Sequence, residues 1–332
     1  MDNIVVNYQI MEVGFQIKCP ENLLGYITGL MARYNFMLPV CRFRQGVKLN
    51  ISIVSDVSFH KLKKAKLIIR YQRVGIKVYK KGNRIFVTDN SNLLTLCSNH
   101  YEGTLIIKKQ GKLNLGSFLD NFILIATVGL LHSYGFFCLH AAGMAKNGQK
   151  VLFVSKNGGG KSTCALKLFL EGWRYLGDDL IFLRRNGKNQ IIALSLTSEL
   201  GIKEGNPILN QNRLYPFRKL FKKSNEIIND YRINISSIAP SQITQHFIPN
   251  LIFFPFVSCL KFSSVIPIED KKTLPILIQQ SKSIYFGDSI SKDNTAVLLD
   301  LINQSRCFIL ALGKDIQGDR LTLSNTIYSL KV

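Results

Sequence analysis

The sequence predicts an α/β protein in two parts, a β-rich N-terminal domain over residues 1–115 and an α/β core over residues 116–332. Three observations predict it. The first part consists of short segments alternating apolar and polar residues, the period of a strand with one buried face. A ten-residue apolar run, Phe122 to Leu131, then reads as a buried helix. Beyond it an apolar strand runs directly into a glycine-rich loop and on into a helical segment.

Composition narrows the class. At 332 residues the chain has room for two domains, each about 150 residues long. With 46% hydrophobic and 19% charged residues, it is neither disordered, collagen-like nor coiled coil. Lys and Arg number 43 against 21 Asp and Glu, a formal charge of +22. That excess points to an anionic partner or substrate, or to a basic solvated surface. Seven cysteines (Cys19, Cys41, Cys97, Cys138, Cys164, Cys259, Cys307) lie scattered without a CxxC pair, and the N-terminus lacks a basic region followed by an apolar run. A reducing, cytoplasmic setting is expected. Extending the apolar run to Leu139 brings in His132, Ser133 and Gly135, and a membrane span needs about 20 clean residues, so none is expected.

Taken in order, the strand signals begin with Val47 to Val54 and Arg84 to Thr88, with a turn at Lys81-Gly82-Asn83. Between Asp56 and Asp89 no acid occurs, while Lys61, Lys63, Lys64, Lys66, Arg70, Arg73, Lys77, Lys80, Lys81 and Arg84 do. Such a stripe guides an acidic partner or, more often, is a solvated face. The polar stretch Lys108 to Ser117 marks the domain boundary, and a helix is expected over about 118–133. No internal repeat or low-complexity tract is present. The runs Phe137 to Lys146 and Gln149 to Val154 then meet across Asn147-Gly148, the residue pair that favours positive φ in a two-residue hairpin.

The second run leads into Ser155-Lys156-Asn157-Gly158-Gly159-Gly160-Lys161-Ser162-Thr163 and a helix stopped by Gly172. Glycines let backbone N–H groups converge on phosphate oxygens, and the helix N-terminus adds positive potential. Lys161 is suited to terminal phosphates and Ser162 to Mg²⁺. The departure is Ser155, which stands where the phosphate-loop pattern has its first glycine. Arg174 to Leu183 then reads as one buried strand interrupted by Asp178-Asp179. Carboxylates in such a run need a cation or substrate group beside them. Neighbouring acids can divide the work of holding Mg²⁺ and accepting a hydroxyl proton. Among His60, His100, His132, His140 and His246, only His140 lies on the hairpin that feeds the loop.

Together, Leu139-His140-Ala141-Ala142, the loop ending Gly160-Lys161-Ser162-Thr163, and Gly177-Asp178-Asp179 resemble the catalytic core of HPr kinase/phosphorylase, and more distantly that of phosphoenolpyruvate carboxykinase. The match covers about residues 137–183, and Ile309 to Asp315 looks like the closing strand of related small kinases. The leading region looks more like that of HPr-kinase-like proteins encoded beside peptide-modification genes, including lasso peptide kinases. The resemblance implies a P-loop kinase core binding ATP and Mg²⁺ through Asn157 to Thr163. It makes Asp179 the general base, Lys161 and His140 partners of the phosphates, Ser162 and Asp178 metal ligands, and a serine of a peptide or small protein the acceptor. The family's Glu-Ile-Arg-Gly-type motif is replaced by Ser198-Glu199-Leu200-Gly201-Ile202-Lys203-Glu204-Gly205, so Glu199 and Glu204 compete with a plain surface helix or loop, and the reverse phosphorylase direction is not implied.

Two alternatives stand beside that reading. One is a carboxykinase-like enzyme on a small carboxylic acid, for which no second arginine-rich motif is evident. The other is a non-catalytic nucleotide-regulated module binding an anionic partner through its basic faces, including Arg213, Arg218, Lys219, Lys222 and Lys223. Against nucleic acid, those clusters carry little stacking equipment, and no helix-turn-helix or zinc pattern occurs. Homo-oligomerisation is compatible with the sequence, which fixes no number.

Overall fold

The structure, a computed structural model, describes residues 3–10, 13–34, 46–71, 75–97, 101–109, 116–210, 214, 217, 220–223, 230–281, 292–317 and 323–330. Cys41, Arg73, His100, Arg213, Arg218 and Lys219 lie outside the described residues. The architecture is mixed α/β with several sheets. The chain divides into two compact units, Met1–Phe137 with Ser283–Lys292, and Cys138–Lys282 with Asp293–Val332.

The first unit is built on β1 (Asn3–Ile10), β2 (Val13–Pro20), α1 (Leu24–Arg33), β3 (Gly46–Val54), β4 (Lys66–Tyr71), β5 (Ile76–Lys81), β6 (Arg84–Thr88), β7 (Leu93–Cys97), β8 (Glu102–Lys108) and α2 (Gly116–His132). Its eight-stranded sheet has the order β1-β2-β3-β8-β7-β6-β5-β4. Strands β2, β3 and β8 run parallel, and α1 makes the connection that parallel β2 and β3 require. The expected Gly82-Asn83 turn closes the β5–β6 hairpin, where Lys81 pairs with Arg84.

Helix α2 buries Leu119, Phe122, Ile123 and Ala126 completely and packs on β3, β7 and β8. Gly103 of β8 permits the close approach: a Cβ there would stand 3.5 Å from Leu130 and 3.0 Å from Leu96. The helix spends its apolar surface on the N-terminal sheet, within the first compact unit. Among the described residues no helix is long and apolar enough to cross a membrane. In the basic stripe, Lys61, Lys63, Lys64, Lys66, Arg70, Lys81 and Arg84 are exposed and Lys77 and Lys80 are half-buried.

The second unit contains β9 (Phe137–Leu139), β10 (Ala141–Lys146), β11 (Gln149–Val154), α3 (Lys161–Leu170), β12 (Arg174–Gly177), β13 (Ile181–Arg185), β14 (Ile191–Ser195), β15 (Glu199–Lys203), β16 (Lys222–Lys223), β17 (Asp230–Asn234), α4 (Ile235–Ile238), β18 (His246–Phe247), β19 (Leu251–Val257), β20 (Ser264–Pro267), α5 (Asp270–Gln280), α6 (Lys292–Asn303), β21 (Arg306–Leu312) and α7 (Leu323–Ser329). The described strands form sheets ordered β12-β10-β11-β19-β21-β20, β18-β14-β13-β9 and β15-β17-β16. Strands β11, β19 and β21 are parallel, so their carboxyl ends meet at one edge. Phe153, Phe253 and Phe308 lie in register across them with ring centroids 5.7 and 5.4 Å apart. Pairs of this kind are worth about 0.5–1.5 kcal/mol beyond their burial. Cys164, Ala165 and Leu168 of α3 pack over this ladder. The end of α3 is held too, since the Glu171 carboxylate accepts the backbone N–H groups of Leu323 and Ser324.

The Asn-Gly hairpin forms as its residues require. Lys146 pairs with Gln149, leaving Asn147 (φ 47°) and Gly148 (φ 82°) as the two-residue loop. The run Arg174 to Leu183 departs from expectation. It forms two strands in different sheets, β12 beside β10 and β13 beside β9. Both chain segments pass from one sheet to the other, and the breaks fall at His140 and at Asp178–Leu180.

Candidate active site

The glycine-rich loop leaves β11 at Ser155 and ends at Gly160, the residue before α3, with φ +106°. Only glycine adopts that conformation without strain. Space excludes a side chain as well, since a Cβ on Gly160 would collide with Leu312. A Cβ on Gly159 would stand 2.7 Å from Ser155 Cβ and 3.0 Å from the Pro255 carbonyl oxygen. Gly158, at φ +82°, is the exposed tip, with the Lys203 ammonium 3.7 Å from where its Cβ would stand. Ser155 has no positive φ and tolerates its side chain. Its Cβ occupies the space that Gly159 leaves free, so the serine departure and the glycine four residues later compensate each other.

Lys161 is buried, and its ammonium donates to the Ser155 carbonyl at 3.1 Å. No side chain caps α3, so its N-terminal N–H groups are open to an anion. The Ser155 hydroxyl is buried beside Gly159 without a protein partner. Ser162 Oγ donates to Asp178 Oδ2 at 2.6 Å. Thr163 is turned away, its hydroxyl accepting from Asn206 at 2.8 Å, and Asn157 is exposed on the loop.

The two acids occupy opposite environments. Asp178 is 2% exposed. Burial, with the Asp179 charge beside it, pushes its carboxyl up to about 7, opposed by the Lys161 ammonium and the Ser162 and Asp179 donors. Asp179 has a 56% exposed side chain. It sits at φ +63° in a three-residue turn closed by Leu180 N–H donating to the Asp178 carbonyl at 2.8 Å. Such a conformation costs about 1–3 kcal/mol and persists only where surroundings impose it. Here Ser195 Oγ holds the Leu180 carbonyl at 3.2 Å. Gly177 lets β12 lie against Ser195, which any Cβ would meet. The turn thereby points one carboxylate inward to Ser162 and the other out to solvent.

His140, at the facing strand break, donates from Nε2 to Asp179 Oδ1 at 3.0 Å. Its Nδ1 lies 3.2 Å from Gln280 Oε1, and its backbone N–H donates to the Gln280 carbonyl at 2.9 Å. Gln280 ends α5, far along the chain, and nothing local in the sequence marks it. Burial raises the Tyr175 phenol well above its ordinary range beside Asp178, Asp179 and Glu199. Glu199 belongs to β15, not to a surface helix or loop, and accepts from Arg232 at 3.2 Å. Glu204 is exposed and accepts from the Tyr231 hydroxyl at 3.4 Å. Lys203, between Glu199 and Glu204 in the segment Ser198 to Gly205, is the further loop neighbour that its own spacing does not mark.

Of the expected residues, then, Ser162, Asp178, Asp179 and His140 form one chain of contacts, joined to Lys161 through Asp178. Among the described residues no three or more His, Cys, Asp or Glu side chains are placed to hold a metal by themselves. The donors present, a hydroxyl and a carboxylate, suit Mg²⁺, which takes few protein ligands and completes its shell with phosphate oxygens and water. The glycine cradle and the orphaned Ser155 hydroxyl fit a phosphate chain. A cavity of about 350 Å³ in the first unit, lined by Lys80, Asn83, Leu130 and His132, contains none of these residues.

Residues 117–230 match the family described as SynChlorMet cassette protein ScmC. Among solved structures, the chain is similar to the HPr(Ser) kinase/phosphatase from Coxiella burnetii at 12% identity and a TM-score of 0.30, over 59% of this chain and 99% of that one. No curated protein matches the chain.

Proposed function

We propose that this protein is a P-loop kinase of the HPr-kinase-like class, transferring the γ-phosphoryl group of ATP to a serine hydroxyl of a peptide or small protein. A lasso peptide precursor is the acceptor that the sequence resemblance favours. The observation carrying this reading is the split acid pair: Asp178 buried on Ser162 at 2.6 Å, and Asp179 exposed beside His140 at 3.0 Å. Phosphoryl transfer to a hydroxyl needs one acid for the metal and another for the acceptor proton, and the split at Asp178–Asp179 supports that division.

Loop amides from Asn157 to Ser162 and the Lys161 ammonium would neutralise the phosphates. Ser162 Oγ and Asp178 would hold Mg²⁺, which supplies charge neutralisation on the β- and γ-phosphates when bound. Asp179 would accept the serine proton as the new O–P bond forms and the γ-phosphorus separates from its bridging oxygen, leaving ADP. His140, anchored by Gln280, would fix the Asp179 carboxylate and stabilise its charge. Positioning and electrostatics of this kind carry most of the rate enhancement in phosphoryl transfer.

The test is incubation of the protein with a serine-bearing precursor peptide, γ-labelled ATP and Mg²⁺, read by mass spectrometry for a single phosphate addition. Asp179→Asn should keep ATP binding and lose transfer. Undiminished transfer by that variant would reject Asp179 as the base.

A further inference from the structure

The carboxyl edge of the parallel strands carries apolar side chains that the reaction as described does not use. Val257, Leu260 and Phe262 are 65, 55 and 65% exposed within six residues of chain. Exposed apolar groups grouped in this way mark binding surfaces. Val257 closes β19 and pairs in register with Leu312 of β21, whose side chain abuts Gly160 of the loop. The platform is thus continuous with the phosphate cradle.

It is also held rigidly. Ser258 N–H donates to the Leu312 carbonyl at 2.9 Å, and Lys314 N–H to the Leu260 carbonyl at 2.9 Å. Asp315 accepts from Ser263 N–H at 2.9 Å and from its hydroxyl at 2.6 Å, while Ser263 Oγ accepts from Gly313 N–H at 2.9 Å. Gly313 makes room for this turn, since a Cβ there would stand 2.5 Å from the Phe262 carbonyl carbon. The hydrogen bonds satisfy the backbone and leave the apolar side chains outward, which is the order expected of a prepared ligand surface. The Lys261 ammonium lies 5.3 Å from the Phe262 ring centroid, backing the aromatic group with positive charge.

We infer that Val257, Leu260 and Phe262 form the platform for the purine base of the nucleotide whose phosphates occupy the loop from Ser155 to Gly160. The inference rests on the kinase reading and deepens it by assigning the base subsite. A flat, weakly polar base suits an exposed aromatic and aliphatic surface at the carboxyl ends of parallel strands, where ligands of open α/β sheets bind.

The experiment compares ATP with inorganic tripolyphosphate, each titrated by calorimetry into the full-length protein with Mg²⁺, for the wild type and for Leu260→Ser and Phe262→Ser. Both substituted side chains are largely exposed, so the fold should be retained. The wild type should bind ATP more tightly than tripolyphosphate; Phe262→Ser should weaken ATP binding by about tenfold, the scale of one lost stacking contact, and Leu260→Ser should weaken it less, in the same direction. Tripolyphosphate binding should stay unchanged. Equal effects on both ligands, or on neither, would overturn the base platform while leaving the phosphate cradle intact. It would equally be overturned if the substitutions abolished self-association and left the ATP preference unaltered. Failure of the wild type to bind tripolyphosphate at all would overturn the kinase reading, and this subsite with it.

Discussion

Replacing Asp178 by asparagine tests the burial asymmetry of the acid pair without reference to any ligand. Asp178 is 2% exposed and its carboxyl is pushed from an ordinary 3.8 up to about 7, first by burial and then by the Asp179 charge. The folded state therefore holds a proton that the unfolded chain releases between those two values. Stability falls as pH rises wherever the folded state binds more protons. The contribution is fully present below about 3.8, is lost progressively as pH climbs through about 7, and is level above that. At 1.36 kcal/mol per pKa unit the whole effect is about 4 kcal/mol, of which roughly 3 kcal/mol falls between pH 5 and 8. Asp178→Asn removes this dependence while costing a constant amount for weakened bonds to Ser162 and Asp179. The assay is urea unfolding of both proteins at pH 5, 6, 7 and 8, without nucleotide or Mg²⁺. The variant should gain on the wild type by roughly 3 kcal/mol across that range. Parallel curves would refute the reasoning, since they would mean that Asp178 ionises as freely when folded as when unfolded.

Further outcomes follow from the same geometry. Ser155→Ala removes a buried hydroxyl with no protein partner and should stabilise the unliganded protein by about 1 kcal/mol, measured as a higher urea midpoint; a lower midpoint would show that the hydroxyl is satisfied. Gly160→Ala places a methyl against Leu312 at φ +106° and should cost about 2–4 kcal/mol, visible in thermal unfolding. Gln280→Ala frees His140 Nδ1 and its ring orientation. It should lower kcat with little change in the KM for ATP and shift the pH profile of transfer, whereas an unaltered profile would remove Gln280 from the site.

Local backbone chemistry was legible in the sequence. Asn147-Gly148 specified a hairpin because both positions take positive φ, and the run from Gly158 to Lys161 specified a tight loop opening a helix. The apolar run ending at Leu131 specified a buried helix, although which sheet it covers was not local information. The strand reading of Arg174 to Leu183 missed its division between two sheets because apolar periodicity reports burial and is silent about which neighbour each half pairs with.

The sequence by itself determined which residue types could gather around an anion, since those depend on glycine conformations, a helix start and adjacent acids. Only the tertiary structure decided that Asp178 turns inward to Ser162, that Asp179 turns outward to His140, and that Gln280 and Leu312 close the site from distant elements. The physical reason is that φ preferences and helix caps act within a few residues, whereas burial and electrostatic environment arise from strand pairing between segments far apart in the chain.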